Sequence, residues 1–220
     1  MKKFIDKFRK NPYQIFYLIA FPIFAGPTFS YMNRPWGKVR NLWIGLDDLI
    51  PVVPPFVTVY HFYMPVLLAI GFMLFYMGKD KDFYSYVTAL FLGHIFGYIT
   101  FYFFQTIITR PDIATLGDDV FSNMLKWTYS VDNNYSGFPS LHVTDMVIAM
   151  LMILHMDIKR MKWPMLIFCF LIAISTVLIK QHVFLDIPGG ILYGSLIFYL
   201  SRYLVGKIEY KKVRKSELTQ

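Results

Sequence analysis

Long apolar runs alternate with short charged segments along this chain. Six runs are apolar over most of their length and are bounded by charge: 13–32, 56–77, 83–108, 141–156, 163–179 and 187–204. A transmembrane helix needs about 20 mostly apolar residues to cross about 30 Å of hydrocarbon. The pattern therefore predicts an all-α, polytopic membrane bundle of six transmembrane helices in a single domain of residues 1–220. The fourth and fifth runs are short, so their ends are defined only to within a few residues.

Composition agrees with this prediction. Hydrophobic residues make up 56% and charged residues 16% of the 220 residues, whereas about 25% of an average soluble domain is charged. The single cysteine, Cys169, lies inside an apolar run, which excludes a disulfide framework and a cysteine metal cage. The first run follows Met-Lys-Lys as a secretory signal would, but Pro22, Pro27 and the lack of a small-residue cleavage site favour a retained helix.

Basic residues are distributed unevenly between the two sides that six spans define. One side collects sixteen basic and six acidic residues, from segments 1–12, 79–82, 157–162 and 201–220. The other side holds six basic and eight acidic residues. Because Lys- and Arg-rich segments are retained in the cytoplasm, we expect both termini there, as basic tails of residues 1–12 and 205–220. The asymmetry explains the net charge of +8 without nucleic acid as a partner, and the tails suit contacts with anionic membrane lipids.

Polar residues collect at the outer ends of the predicted spans. They lie in three segments that are far apart in the sequence: 109–111, 135–145 and 175–186. Polar groups at membrane depth are costly, so those that are retained are candidates for function. Together the segments bring two histidines, His142 and His182, a carboxylate and at least one cation to one level of the bundle.

Phosphoryl transfer is the chemistry that suits this set. His182 and Asp186 are four residues apart, so on a helix they share a face, and the carboxylate can accept the distal N–H of the imidazole. A histidine oriented in this way can act as a nucleophile, while His142 donates a proton to the leaving oxygen. Cations, Ser140 or backbone N–H groups can hold a tetrahedral anion.

These residues resemble the type 2 phosphatidic acid phosphatases, which are integral-membrane members of the vanadium-haloperoxidase-like superfamily. The first motif of that family is Lys, six residues, then Arg-Pro; Arg110 and Pro111 match it, but Phe103 stands at the lysine position. The second motif is Pro-Ser-Gly-His, and residues 139–142 read Pro-Ser-Leu-His.

The third motif is Ser-Arg, five residues, His, three residues, Asp. Ser175, His182 and Asp186 stand at this spacing, whereas Thr176 replaces the arginine. The histidine and aspartate residues of the family are therefore intact, and two of its cations are absent. With six spans, the resemblance extends over most of the chain.

The resemblance implies a role for each matching residue. His182 is the expected nucleophile, Asp186 its orienting carboxylate and His142 the general acid, with Arg110 and Ser140 as phosphate ligands. Neither a metal ion nor a cofactor is expected. The expected partners are a lipid phosphate substrate and the surrounding membrane lipids, with the active site at the outer face of the cell membrane.

A further cation is expected to compensate for the two that are missing. Lys180 is the preferred candidate, because a lysine two residues before His182 is costly near the membrane unless it has a function. Lys180 could instead extend to the interface without any role in the site. Other basic residues on the same predicted side are Arg34, Lys38, Arg40 and Lys126.

Three functional classes stay open. The sequences Phe-Pro-Ser-Leu-His and Lys-Gln-His, and the segment 47–51, are similar to the inositol phosphorylceramide synthase branch, which transfers a phosphorylated headgroup between lipids. Transfer to an alcohol therefore competes with hydrolysis. A non-catalytic lipid-binding relative is the third class, which the missing cations favour. The sequence specifies neither the lipid nor the oligomeric state.

The remaining polar candidates have simpler interpretations. His61, His94 and His155 lack a partner at a recognisable spacing, so we expect them to be packing or interface residues. Asp145, one turn beyond His142, lines the site or caps a wet cavity, and the sequence does not decide between these roles.

Overall fold

The computed structural model describes residues 7–9 and 11–217, and most of them are helical. The helices from residue 12 onward are α1 (Pro12–Met32), α2 (Gly45–Leu49), α3 (Phe56–His61), α4 (Tyr63–Met77), α5 (Asp80–Phe103), α6 (Val120–Val131), α7 (Leu141–His155), α8 (Lys162–Leu178) and α9 (Asp186–Glu217). A 3-10 turn (Ile113–Thr115) and two strands, β1 (Arg40–Asn41) and β2 (Thr106–Ile107), complete the fold. The predicted all-α class is confirmed. Residues 1–6, 10 and 218–220 of the predicted tails lie outside the described residues.

Three helical stretches of the described chain are long and apolar enough to cross a membrane. They are Pro12–Met32, Phe56–Met77 and Asp80–Phe103, and they coincide with the first three predicted spans. α7 and α8 are apolar but have only 15 and 17 residues. The apolar helices indicate a membrane protein, while the count of six spans stays a prediction.

The second and third predicted spans differ in detail from the helices. The second is interrupted, because α3 ends at His61 and α4 begins only at Tyr63. The third was expected to reach residue 108, but α5 ends at Phe103, since the following residues form β2 and pair with β1. The pairing of β2 with β1 thus ends the helix before the apolar run ends.

Short elements order the two long loops, residues 33–55 and 109–140. β1 pairs in parallel with β2, and Ile107 forms a bridge to Tyr135 in the second loop. The same loop contains α6, which the apolar pattern does not predict. Its N-cap is Asp119, whose side chain accepts hydrogen bonds from the backbone N–H groups of Phe121 and Ser122. The two long loops therefore contain regular structure, and both pair with the segment that follows α5.

α7 and α9 approach each other closely where two glycines of α9 face α7. A Cβ atom at Gly194 would lie 2.6 Å from the carbonyl oxygen of Thr144, and one at Gly190 would lie 2.9 Å from that of Ser140. Only glycine allows this approach without moving one of the helices. The first turns of α7 and α9 consequently lie side by side, and these turns carry His142 and Asp186.

Candidate active site

His182 and Asp186 form a buried hydrogen-bonded pair at the start of α9. Asp186 Oδ2 lies 2.9 Å from His182 Nδ1 and accepts the backbone N–H of Val183 at 3.1 Å. The side chains of His182 and Asp186 are 8% and 0% exposed. A carboxylate at Nδ1 holds the hydrogen on that nitrogen, so the lone pair of the imidazole lies on Nε2. That arrangement is the one a nucleophilic histidine requires.

His142 faces this pair from the first turn of α7. Its ring centroid lies 5.8 Å from that of His182, with the ring planes at 64°. Both histidines line a cavity of about 370 Å³ whose wall contains apolar and polar residues. The apolar wall residues include Ala25, Phe29, Met64, Phe101 and Leu141, and the polar wall residues include Asn33, Thr128, Asp132, Asn133 and Ser136. The three residues predicted to be catalytic are therefore together, at the edge of a cavity.

Arg110 lies beside the site but its guanidinium is engaged by protein groups. It donates to the backbone carbonyl oxygens of Asp132 at 2.6 Å and Asn133 at 3.1 Å, and to the side-chain oxygen of Gln181. It also lies over the ring of Tyr129, 4.7 Å from the centroid. Burial lowers the pKa of Arg110 and Asp132 opposes that shift, but an arginine stays protonated in either case. Gln181 precedes His182, so the positive charge of Arg110 lies near the His182–Asp186 pair without facing the cavity.

Ser140 caps α7. Its hydroxyl accepts the backbone N–H of Val143 at 3.2 Å, and its own N–H donates to the carbonyl oxygen of Asp186 at 3.3 Å. The side chain is fully buried and does not contribute to the cavity wall. Ser140 thus joins the starts of α7 and α9, and the role of phosphate ligand that was expected of it stays a prediction.

The side chain of Lys180 points to the first long loop, residues 33–55, instead of the cavity. Its Nζ donates to the carbonyl oxygen of Asp47 at 2.7 Å and lies 5.1 Å from the ring centroid of Trp43. Burial lowers the pKa of Lys180, whereas Asp47 and Asp48 raise it. The geometry gives no support to the expectation that Lys180 replaces a missing phosphate ligand, because its ammonium group is held elsewhere.

Asp47 fixes the loop that carries His182. One carboxylate oxygen accepts the backbone N–H of Phe184 at 2.7 Å, and the other accepts that of Ile44 at 2.9 Å. The segment 47–51, which the sequence related to a lipid transferase branch, is therefore a brace for the histidine loop.

A second histidine–aspartate pair is buried beside the cavity. His94 lines the cavity, and its Nε2 lies 2.8 Å from Oδ2 of Asp145. The sequence left His94 as a packing residue, because its partner is 51 positions away and no local motif joins them. His61 also lines the cavity, 3.0 Å from the hydroxyl of Thr128, while His155 bonds the carbonyl of Leu151. The one sequence signal for this pair was Asp145, one turn beyond His142.

The cavity has few positive charges. None of the described residues that line it is a lysine or an arginine. Asp132 is in the polar wall, where its carboxylate accepts the side-chain N–H of Asn33 at 2.7 Å. Burial raises the pKa of Asp132, although Arg110 and His182 oppose this shift. A phosphate bound in this cavity therefore contacts the two histidines and no lysine or arginine among the described lining residues.

Comparison with known proteins gives two matches. A family model described as the PAP2 superfamily matches residues 82–210. An uncharacterized protein of Methanocaldococcus jannaschii is 25% identical over 173 residues, which cover 77% of this chain and 70% of that protein. No solved structure gives a significant match. The matched family range contains both histidine–aspartate pairs.

Replacement of Asp47 tests the brace on the histidine loop. Asp47→Ala leaves the partly buried backbone N–H groups of Ile44 and Phe184 without their charged acceptor, so we expect the free energy of unfolding to fall by about 1–3 kcal/mol. Asp48→Ala is the matched control, because the neighbouring carboxylate is exposed and should change stability by less than about 0.5 kcal/mol. The measurement is denaturant unfolding in detergent. Equal stability of the two variants would contradict the assignment.

Proposed function

The chain belongs to the PAP2 superfamily, and from this membership we propose that it is a membrane-embedded lipid phosphatase that works through a phosphohistidine intermediate. Membership itself suggests phosphatase or phosphotransferase activity. The observation that carries the finer proposal is that the His182–Asp186 pair faces His142 at the edge of one cavity. The combination supplies a nucleophile, its orienting carboxylate and a proton donor within one site.

The reaction proceeds in two steps. Nε2 of His182 attacks phosphorus while the bond from phosphorus to the lipid oxygen breaks, and His142 gives its proton to that oxygen. Water then attacks the phosphohistidine, His142 takes a proton from the water, and inorganic phosphate leaves His182 free. Asp186 stabilises the positive charge that develops on the His182 ring. Arg110, whose guanidinium bonds the side chain of Gln181 next to His182, and Ser140 are the proposed ligands of the transferred phosphoryl group.

The substrate is a lipid phosphate that enters from the outer leaflet. The apolar wall of the cavity suits the first carbons of an acyl or prenyl chain, and the polar wall suits the headgroup. The proposed topology has six spans, with both termini in the cytoplasm and the active site at the outer face. Phosphatidic acid and polyprenyl diphosphates are both compatible with this chemistry.

A lipid-headgroup phosphotransferase is the second candidate, and the charge of the cavity favours it. A phosphomonoester dianion needs more cationic partners than a phosphodiester, which carries one negative charge. The described cavity wall contains Asp132 and lacks lysine and arginine, so a diester is accommodated with less compensation. In this case an alcohol replaces water in the second step. A lipid-binding protein without catalysis is the third candidate.

One assay separates these candidates. The purified protein in detergent is given a panel of lipid phosphates and phosphodiesters, with chelator and with or without an alcohol acceptor, and free phosphate and new lipids are measured. We expect metal-independent release of phosphate that is lost in His182→Gln and retained in the exposed-histidine control His155→Gln. A new lipid without free phosphate identifies the transferase. Turnover that survives His182→Gln would contradict the proposed mechanism.

The topology has a separate test. In a Cys169→Ala background, Asp118→Cys places a thiol in the second outer loop, and Lys159→Cys places one in the turn between α7 and α8; both positions are exposed. We expect a membrane-impermeant maleimide to label the first in intact cells and the second only after lysis. The reverse pattern would place the active site on the cytoplasmic side.

A further inference from the structure

His142 is held by aromatic contacts. Its ring lies between Tyr60, with centroids 4.6 Å apart and planes at 30°, and Tyr63, with centroids 4.3 Å apart and planes at 46°. No described residue makes a hydrogen bond to either ring nitrogen of His142. A catalytic imidazole is usually oriented by a hydrogen bond on the nitrogen that does not react. Here the two tyrosine rings are the groups that set the orientation of the His142 ring.

The two tyrosines lie on either side of the break between α3 and α4. Tyr60 is in the last turn of α3 and Tyr63 is the first residue of α4. The hydroxyl of Tyr60 interacts with the carboxylate of Asp132, and the hydroxyl of Tyr63 donates to Oδ2 of Asp145. Each ring that contacts His142 is thus anchored by a carboxylate from a different part of the chain.

The anchor of Tyr63 is a closed hydrogen-bond chain. The hydroxyl of Tyr98 donates to the carbonyl oxygen of Ala25 at 2.7 Å, so its oxygen accepts the N–H of His94 Nδ1 at 2.9 Å. His94 Nε2 lies 2.8 Å from Asp145 Oδ2, which also accepts the hydroxyl of Tyr63, and this contact completes the chain. His94 and Asp145 are 3% and 0% exposed. The position of the Tyr63 hydroxyl is consequently determined by buried groups of α1, α5 and α7.

We propose that His94 and Asp145 are positioning residues for the general acid, and that they act through Tyr63 on the ring of His142. The proposal rests on the proposed function, since it requires that His142 donates a proton to the leaving oxygen. The catalytic residues are His182 and His142, which touch the reacting atoms. His94, Asp145 and Tyr63 keep the His142 ring aligned with the leaving oxygen, and small misalignment of a catalytic group slows reaction.

A role confined to packing makes different predictions from a positioning role. A residue that acts through His142 affects only reactions that need the proton of His142. Lipid phosphates have a poor leaving group that must be protonated, whereas p-nitrophenyl phosphate has a good one that departs without a proton. The same residue has no further effect once His142 is removed. A packing defect lowers the rates for both substrates and in both backgrounds.

The test compares Tyr63→Phe and Asp145→Asn with wild type on both substrates. We expect the single-turnover rate of leaving-group release to fall about tenfold or more for the lipid phosphate, and to change less than about twofold for p-nitrophenyl phosphate. The single-turnover rate is the one to measure, because hydrolysis of the phosphohistidine, in which His142 is the base, is common to both substrates. In a His142→Ala background, Tyr63→Phe should leave the residual rate unchanged. Tyr199→Phe and Asp118→Asn are matched controls, because both side chains are exposed. Tyr63→Phe keeps the ring, so it decides the matter even where Asp145→Asn does not fold.

Three results would overturn the inference. Equal losses on both substrates, a further loss in the His142→Ala background, or no loss for Tyr63→Phe on the lipid phosphate would each show that the pair serves packing alone. These results are distinguishable from failure of the proposed function, in which wild type has no turnover or His182→Gln retains it. That failure would overturn the inference as well.

Discussion

The hydrogen bond between His182 Nδ1 and Asp186 Oδ2 is the interaction on which the site depends. The two residues are four positions apart at the start of α9. This start lies so close to α7 that Gly190 and Gly194 have no room for a side chain. Ser140, at the start of α7, bonds the backbone of Asp186 and so ties the two first turns together. Outside the bundle, Asp47 holds the intervening loop through its backbone. The position of His182 is thus fixed by the packing of α9 on α7 and by the bond from Asp47 of the first long loop.

The two proposed catalytic histidines are held by different forces, and the difference matches their roles. His182 has a carboxylate on Nδ1, which favours the lone pair on Nε2 and stabilises positive charge when that atom bonds to phosphorus. His142 has no such partner among the described residues and is held by Tyr60 and Tyr63. An imidazole without a fixed carboxylate gives up its proton more readily. The arrangement therefore places the imidazole that has a carboxylate partner at phosphorus and the imidazole that has none at the leaving oxygen.

The apolar pattern predicted the helices, and the motif spacing predicted His142, His182 and Asp186, because both signals are local in sequence. The structure brings these three together, and their roles stay predictions. Other features depend on contacts between distant segments, so they were not predictable: the end of α5 at Phe103, α6 in the outer loop, and the pairing of His94 with Asp145. The bond from Lys180 to the carbonyl oxygen of Asp47 was not predictable for the same reason, since the two residues are 133 positions apart.

The central claim is that phosphate is transferred to His182, and trapping the intermediate tests it most directly. The protein is mixed briefly with a lipid substrate that is turned over, denatured in alkali, where phosphohistidine persists, and digested for mass spectrometry. The account predicts phosphate on His182 in wild type and none in His182→Gln. In His142→Ala, the amount of trapped phosphohistidine rises when the second step is slowed more than the first. Turnover with phosphate on another residue, or with no phosphoenzyme and full activity in His182→Gln, would contradict it.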